Sequence, residues 1–203
     1  LDAARGESRD TLTTRESIAL LEAYGIRTCR SKLARSEDEA AAFANQIGYP
    51  VVMKMTSKTT SHKTDVGGVR VGIRSEEELR AQYRDLLAKL AERGLEQGLE
   101  GVLIQEMVSG KREMVCGLAT DPQYGPMIMF GLGGVFVEVM KDVCFRLAPL
   151  TDQDAAEMIR SVKAWKLLEG ARGLKPAQTG RIEETLLRIS QLVADFPEIS
   201  ELD

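Results

Sequence analysis

A lysine and a pair of glycines within one short stretch of the chain could together handle phosphate. Lys54 lies in an apolar run, where the two-residue repeat of a strand puts it on the face opposite Met53 and Met55. Gly67 and Gly68 follow a polar loop, and adjacent glycines let successive backbone N–H groups converge on an anion. A strand lysine beside such a pair is suited to binding phosphate groups.

The only histidine of the chain, His62, lies in the loop between this lysine and the glycines. An imidazole with an ordinary pKa of about 6.5 is mostly neutral at pH 7 and can act as a nucleophile towards a phosphoryl group. From the residues alone, a solvent-exposed loop histidine is the simpler interpretation of His62. The glycine pair is equally consistent with a flexible hairpin tip, and Lys54 with a lysine that protects a sheet edge from aggregation.

Two further stretches could contact a ligand. Gln105, Glu106, Met107 and Val108 end an apolar strand, and could offer backbone groups to a base edge and a carboxylate to a ribose. An exposed strand end explains them equally well. Acids near the loop 131–134, such as Glu138 and Asp142, could hold a metal, pair with the phosphate lysines or form surface ion pairs.

The composition excludes several classes of protein. A net charge of −4 with 5% aromatic residues argues against a general nucleic-acid-binding surface, which needs a basic patch. No run of about 18 apolar residues and no leader-like start is visible, so we expect no membrane partner and a cytoplasmic location. Three dispersed cysteines predict neither a disulfide framework nor a zinc site.

The hydrophobic pattern predicts an α+β fold, because helices are segregated from an antiparallel meander. Residues 1–12 are predicted to be a solvated linker or lead-in, and 13–49 a helix–strand–helix segment. Residues 102–108 are predicted to start the meander, which continues through the strands that follow. Helix caps are predicted at Thr13 or Thr14, Ser36, Ser75, Thr151 and Thr179. The first residue is Leu1 rather than Met, so we expect the chain to be part of a longer protein.

Six segments together carry a resemblance to a known family: GYPVVMK, SHKTDVGGV, VLIQEMV, REMVCG, DPQYGPMIMFGLGGVFVEVMKDVCFRLAPLT and DFPEISELD. The set resembles the ATP-grasp domain, of beta-subunit type, of NDP-forming acyl-CoA synthetases, the ADP-forming acetate-CoA ligase family. The resemblance covers nearly the whole chain from about Leu12. It implies an ATP-grasp fold of two α+β lobes that clamp a nucleotide, a small lobe at 50–100 and a large lobe, truncated at its C-terminus, at 101–203.

The resemblance also implies roles for individual residues. Lys54 matches the lysine that contacts the nucleotide phosphates, and Gly67 and Gly68 match the mobile glycine-rich loop. Residues 105–108 match the segment that receives adenine. An acid near the ribose is matched by Glu113. His62 matches the phosphate carrier of the family, which passes phosphate between a histidine of the CoA-binding subunit and ADP. This match replaces the interpretation of His62 as a solvent-exposed loop histidine.

Cofactors and partners follow from the same resemblance. We expect ATP or ADP with Mg²⁺ on this domain, CoA on a partner domain, and a small carboxylic acid as substrate. Asp203 matches the first acid of the family motif LDINP, whose Asn and a later Asp hold Mg²⁺. The sequence departs from the family by ending at that acid, so the metal ligands are unknown here. The isolated domain is not expected to catalyse the reaction alone.

Two other interpretations remain open from the sequence. A degenerate ATP-grasp domain could have a regulatory or scaffolding role, as in chains fused to a GNAT-type lysine acetyltransferase. An ATP-grasp amide ligase is a weaker alternative, because one fold serves many carboxylate activations. A phosphohistidine loop would have no purpose in an amide ligase.

Overall fold

A computed structural model describes residues 1–57, 67–95, 98–110, 112–134, 140–170 and 173–202. The helices in these ranges are α1 (Asp2–Gly6), α2 (Thr14–Ala23), α3 (Glu37–Ile47), α4 (Glu76–Glu92), α5 (Asp152–Ser161), α6 (Trp165–Leu168) and α7 (Thr179–Asp195). The strands are β1 (Ser31–Ala34), β2 (Val51–Ser57), β3 (Val69–Ile73), β4 (Leu99–Glu106), β5 (Met114–Asp121), β6 (Gly125–Leu132), β7 (Val143–Leu147) and β8 (Glu201–Leu202).

Sheet 1 contains four antiparallel strands in the order β1-β4-β2-β3. One face, which we call its helix face, packs on α3 and α4 through alternate residues of each strand. The apolar core on this side includes Val51, Met53, Met55, Val102 and Ile104, all fully buried. The residues between them point to the opposite face, which we call the second face of sheet 1.

Sheet 2 is built in the same way, with four antiparallel strands in the order β7-β6-β5-β8. Its helix face packs on α5 and α7, where Leu118, Ile128 and Phe130 form a core with residues of both helices. Each sheet is antiparallel and has its own helices packed on one face, which confirms the α+β prediction.

Most predicted helix starts are confirmed by their hydrogen bonds. The side chains of Ser36 and Ser75 accept from the backbone N–H three residues later, and Thr151 forms a reciprocal capping box. Thr13 does the same for α2, because its Oγ1 accepts from the Glu16 N–H at 3.3 Å. The cap predicted at Thr179 is wrong. Thr179 is the first residue of α7, its N-cap is Gln178, and the Gln178 side chain makes no capping hydrogen bond.

The N-terminal residues are more ordered than a solvated lead-in. They contain α1, and beyond it the Arg9 guanidinium contacts both carboxylate oxygens of Glu16, at 2.8 and 3.0 Å. This pair holds the segment to the first turn of α2, a contact between charges seven residues apart that no periodic pattern reveals. The description of residues 1–12 as a linker or lead-in stays a prediction.

The contacts divide the chain into two units. Unit 1 is Leu1–Ala23 with Arg27–Ser109 and contains sheet 1, whereas unit 2 is Tyr24–Ile26 with Gly110–Asp203 and contains sheet 2. The predicted meander is wrong at its first strand, because β4 pairs with β1 and β2. The expected lobe boundary between residues 100 and 101 lies inside β4, and the contacts put the division after Ser109.

Helices of membrane-spanning length and apolarity do not occur within the described ranges.

Candidate functional site

Lys54 lies on β2 with its side chain on the second face of sheet 1. The strand puts it there because Met53 and Met55 on either side are packed into the helix-face core. The side chain is partly buried, and no described carboxylate forms an ion pair with its ammonium group. The arrangement is suited to an anionic ligand.

The glycine pair lies directly beside this lysine, at the start of β3. The Met55 N–H donates to the Gly68 carbonyl at 2.8 Å, and the Arg70 guanidinium donates to the Gly67 carbonyl. Gly67 has a φ of +70°, a conformation that side-chain-bearing residues rarely adopt. Within the described part of the chain, the N–H groups of both glycines have no hydrogen-bond partner. These two donors can therefore serve an anion near Lys54.

Gln105 shares the second face of sheet 1 with this lysine. The register of β2 and β4 pairs Lys54 with Leu103 and Val52 with Gln105. Gln105 and Lys54 are thus diagonal neighbours, which are about 7–8 Å apart in an antiparallel pair. The structure therefore brings together the lysine, the glycine pair and this glutamine within unit 1.

Glu106 ends β4 and is bound to Arg30 through both its side chain and its backbone. Its Oε2 accepts from the Arg30 Nε at 2.8 Å, and its N–H donates to the Arg30 carbonyl at 2.8 Å. The guanidinium holds the pKa of the Glu106 carboxyl below its ordinary value. Any ribose contact by this carboxylate would have to compete with the ion pair.

Met107 and Val108 follow the end of β4 and are exposed. Their backbone N–H and C=O groups have no backbone partner in the ranges that the structure describes. Unpaired backbone donors and acceptors just beyond a strand can read the edge of a base. The predicted adenine contact stays a prediction that this geometry permits.

Glu113 belongs to unit 2 and precedes β5. It is exposed, and its carbonyl accepts from the Gly133 N–H at 2.8 Å. A Cβ on Gly134 would lie 2.5 Å from the Glu113 Oε2, so this glycine lets the chain pass close to the carboxylate. The ribose role of Glu113 also stays a prediction.

A family model described as "ATP-grasp domain" matches residues 3–203. The chain belongs to this family. It is 43% identical, over 203 residues, to the beta subunit of acetate–CoA ligase [ADP-forming] I from Pyrococcus furiosus, covering all of this chain and 87% of the relative. It is 47% identical to the acetate–CoA ligase [ADP-forming] I of Archaeoglobus fulgidus, but spans only 29% of that protein's length.

Solved structures agree with this membership of the ATP-grasp family. Acetyl-coenzyme A synthetase 1 of Ca. Korarchaeum cryptofilum, in complex with coenzyme A and Ca-AMPCP, matches with a TM-score of 0.90 and 44% identity. The match covers 98% of this chain and 87% of that one. A second structure of the same protein, with Mg-AMPPCP and a phosphohistidine segment pointing towards the nucleotide-binding site, matches with a TM-score of 0.84 and 42% identity, covering 98% and 86%. The predicted family and fold are confirmed.

His62 and Asp203, the two predicted catalytic residues of this ATP-grasp domain, lie outside the described residues, as does Glu138. Asp142 is described, and its two carboxylate oxygens accept from the N–H groups of Lys163 and Ala164 at 2.8 and 2.7 Å. Asp142 is therefore engaged by the backbone and has no ion-pair partner among the described residues, and its suggested metal role stays a prediction. Within the described ranges, no three His, Cys, Asp or Glu side chains are grouped to hold a metal.

Two residues of the site were missed by the sequence analysis. Arg70 joins the glycine pair to α4, because its guanidinium contacts both the Gly67 carbonyl and the Asp85 carboxylate, the latter at 3.0 Å. Lys89 and Arg70 together keep the pKa of Asp85 below its ordinary value. Arg30, which engages Glu106, is the second. Both contacts join residues that no local pattern links, so the sequence holds no signal for them.

A cleft of about 350 Å³ in unit 2 is separate from these residues. It is lined by Asp152 and by α7, including Glu183, Leu187 and Arg188. The cleft contains none of the predicted ligand-binding residues of this ATP-grasp domain. We therefore do not assign it to the nucleotide.

Proposed function

We propose that this chain is the nucleotide-binding domain of an ADP-forming acyl-CoA synthetase. It would transfer phosphate between ATP or ADP and a phosphohistidine relay, as part of an acid–thiol ligase that makes acyl-CoA from a carboxylic acid and CoA. The observation that carries the proposal is the ammonium of Lys54 beside the N–H groups of the glycine pair, all of them without a partner among the described residues. The relatives named above, which are ADP-forming CoA ligases and an acetyl-CoA synthetase, support it.

The described residues fit a nucleoside triphosphate. Lys54 and the amides of Gly67 and Gly68 would hold phosphate oxygens, while the backbone of Met107 and Val108 would contact the base. ATP would enter as its Mg²⁺ complex, in line with the Mg-AMPPCP held by the Korarchaeum synthetase. No cluster of His, Cys, Asp or Glu side chains among the described residues fits a resident metal.

The chemistry assigned to this domain is a phosphoryl transfer. A ring nitrogen of His62 would form a bond to the γ-phosphorus of ATP while the bond to the β,γ-bridging oxygen breaks and ADP leaves. The reverse step returns the phosphoryl group to ADP. Fixed positive charge from Lys54 and the glycine N–H donors would stabilise the transferring group, which supplies most of the rate in such reactions.

The partners of the domain follow from its relatives. The Pyrococcus relative is a separate beta subunit, whereas the Archaeoglobus relative is one chain more than three times as long as the matched region. We infer that CoA-binding and ligase domains, or a separate subunit carrying them, complete the enzyme and take the phosphoryl group from His62. The expected cytoplasmic location stays a prediction. The regulatory alternative gains no support from the named relatives.

The first test follows phosphate into the protein. The full-length enzyme is incubated with ATP labelled at the γ-phosphate, and acid-labile label on the protein is counted. We expect stoichiometric labelling in the wild type and at least about 100-fold less in His62→Ala, because phosphate would reach the histidine of the CoA-binding subunit only through His62.

MgATP affinity is the control, and it should be unchanged in His62→Ala, since the nucleotide would be held by Lys54 and backbone groups. Undiminished labelling of the His62→Ala enzyme would refute the relay. Failure of the wild type to bind MgATP at all would refute the nucleotide site itself.

A further inference from the structure

Thr56 carries a buried hydroxyl that has no hydrogen-bond partner in the part of the chain that the structure describes. It lies on β2, two residues after Lys54, and 0% of its surface is exposed. No described residue accepts from or donates to its Oγ1. Buried hydroxyls are nearly always hydrogen-bonded, because an unpaired one loses its interactions with water without replacement.

The neighbours of Thr56 explain why its hydroxyl is unpaired. Its cross-strand neighbour on β4 is Gly101, which has no side chain, and the next residue of β4 on that face is Leu103. Lys54 is the preceding residue of β2 on the same face. An ammonium group has only donors and cannot accept from a hydroxyl.

An anion between the two side chains would satisfy both. Residues two apart on a strand are separated by about 6.6 Å, and hydrogen bonds to a charged oxygen span about 2.7–2.9 Å each. The flexible stem of Lys54 can bring its ammonium group to the same phosphate that the Thr56 hydroxyl reaches. The two side chains thus form a cation and a neutral donor on one face of one strand.

We propose that Thr56 is a phosphate-positioning residue whose hydroxyl donates to the nucleotide phosphate that Lys54 binds. The inference rests on the proposed function, since it takes the ligand to be a nucleoside phosphate. It adds a donor that the sequence analysis overlooked, and it predicts that the hydroxyl is used only when a phosphate is present.

The test compares ligands with and without phosphate on the full-length protein. Dissociation constants for MgATP and for adenosine are measured by titration calorimetry in wild type, Thr56→Val and Thr56→Ser. Valine keeps the shape of threonine and removes the hydroxyl, so we expect MgATP to bind about 10-fold more weakly. Adenosine should bind as in the wild type, and serine should restore MgATP binding to within about threefold.

A matched control replaces a buried hydroxyl that does have a partner. The Ser190 Oγ accepts from the Leu150 N–H at 2.7 Å, so Ser190→Ala should lower the melting temperature without changing MgATP affinity. Thr56→Val should leave the melting temperature of the nucleotide-free protein unchanged or raise it. If the valine variant does not fold, Thr56→Ala serves the same comparison.

Two results would overturn the inference. Wild-type MgATP affinity in Thr56→Val would show that the hydroxyl touches no phosphate, and equal weakening of MgATP and adenosine would show a distorted site. Lys54→Met separates this failure from that of the proposed function. If Lys54→Met loses MgATP while Thr56→Val does not, only the role of Thr56 is wrong, whereas a wild type that binds no MgATP refutes both.

Discussion

The two sheets share a construction but differ on their second faces. Each has four antiparallel strands with two helices packed on the other side. The second face of sheet 1 carries Lys54, Thr56 and Gln105 among apolar neighbours. The second face of sheet 2 carries Phe145 and Leu147, with Met127 and Met129 paired to them on the adjacent strand. Polar residues thus interrupt the apolar second face of sheet 1, whereas these four positions on the second face of sheet 2 are all apolar.

The difference shows that polar side chains of the two units are distinguished by whether they have hydrogen-bond partners, more than by polarity itself. Asp142 in unit 2 is almost fully buried, yet both its oxygens accept backbone N–H groups at the start of α6. Lys54 and Thr56 in unit 1 have no such partners among the described residues. A buried polar group that is satisfied stabilises the fold, whereas an unsatisfied one is free to bind a ligand.

The largest expected effect separates the two faces of sheet 2. Phe130, fully buried on the helix face, should lose about 3–5 kcal/mol of unfolding free energy on replacement by alanine. Phe145, 40% exposed on the second face, should lose less than about 1.5 kcal/mol by the same change. Urea denaturation of both variants measures the difference. Equal losses would show that the second face of sheet 2 is packed as tightly as its core.

The next effect separates binding from stability in unit 1. Lys54→Met should weaken MgATP binding by about 100-fold, because the charge-assisted hydrogen bonds to phosphate are lost, and should leave the melting temperature within a few degrees. Calorimetric titration and thermal unfolding measure the two quantities.

Two control variants test whether MgATP binding and stability depend on different residues. Lys32→Met is the matched change, since Lys32 lies on β1 of the same sheet, exposed and on the other face, and should leave MgATP binding unaltered. Asp142→Ala should do the opposite of Lys54→Met and lower stability by about 2 kcal/mol without altering affinity. A Lys54 variant that melts early but binds normally would contradict the distinction between satisfied and unsatisfied groups.

Local features of the fold were predictable from the sequence. Caps at Ser36, Ser75 and Thr151 lie next to the helices they start, and the alternation around Lys54 fixes its face on β2. Each depends on residues within a few positions of one another. The sequence signal is strong where the hydrogen bond or the repeat is local.

Non-local features were not predictable. β4 and β5 are two apolar strands around a turn, which is the pattern of a hairpin, yet β4 pairs with β1 and β2 because Val102 and Ile104 complete the core of unit 1. The ion pair of Arg30 with Glu106 joins residues 76 positions apart. No periodic pattern reports such a contact, so the engagement of the Glu106 carboxylate came only from the structure.

The smallest expected effect concerns a satisfied charge in unit 1. The Arg9 guanidinium and, secondarily, the Thr13 backbone N–H lower the pKa of Glu16 from 4.5 to about 2. A carboxyl whose pKa is depressed by folding stabilises the protein above its unfolded pKa, and this contribution is lost as the pH falls through the folded value. Because the pair lies close to the surface, we expect about 1 kcal/mol at pH 6.

Glu16→Gln removes this pH dependence and so isolates it. The difference in unfolding free energy between wild type and Glu16→Gln, measured in urea, should fall by more than about half between pH 6 and pH 3. MgATP affinity at pH 7 should be the same in both proteins, because a satisfied charge contributes to the fold and not to the ligand. A free-energy difference that stays constant with pH would show that the Arg9 contact does not depress the pKa of Glu16. A change in MgATP affinity would instead place a satisfied group in the binding site and break the contrast between the two kinds of polar residue.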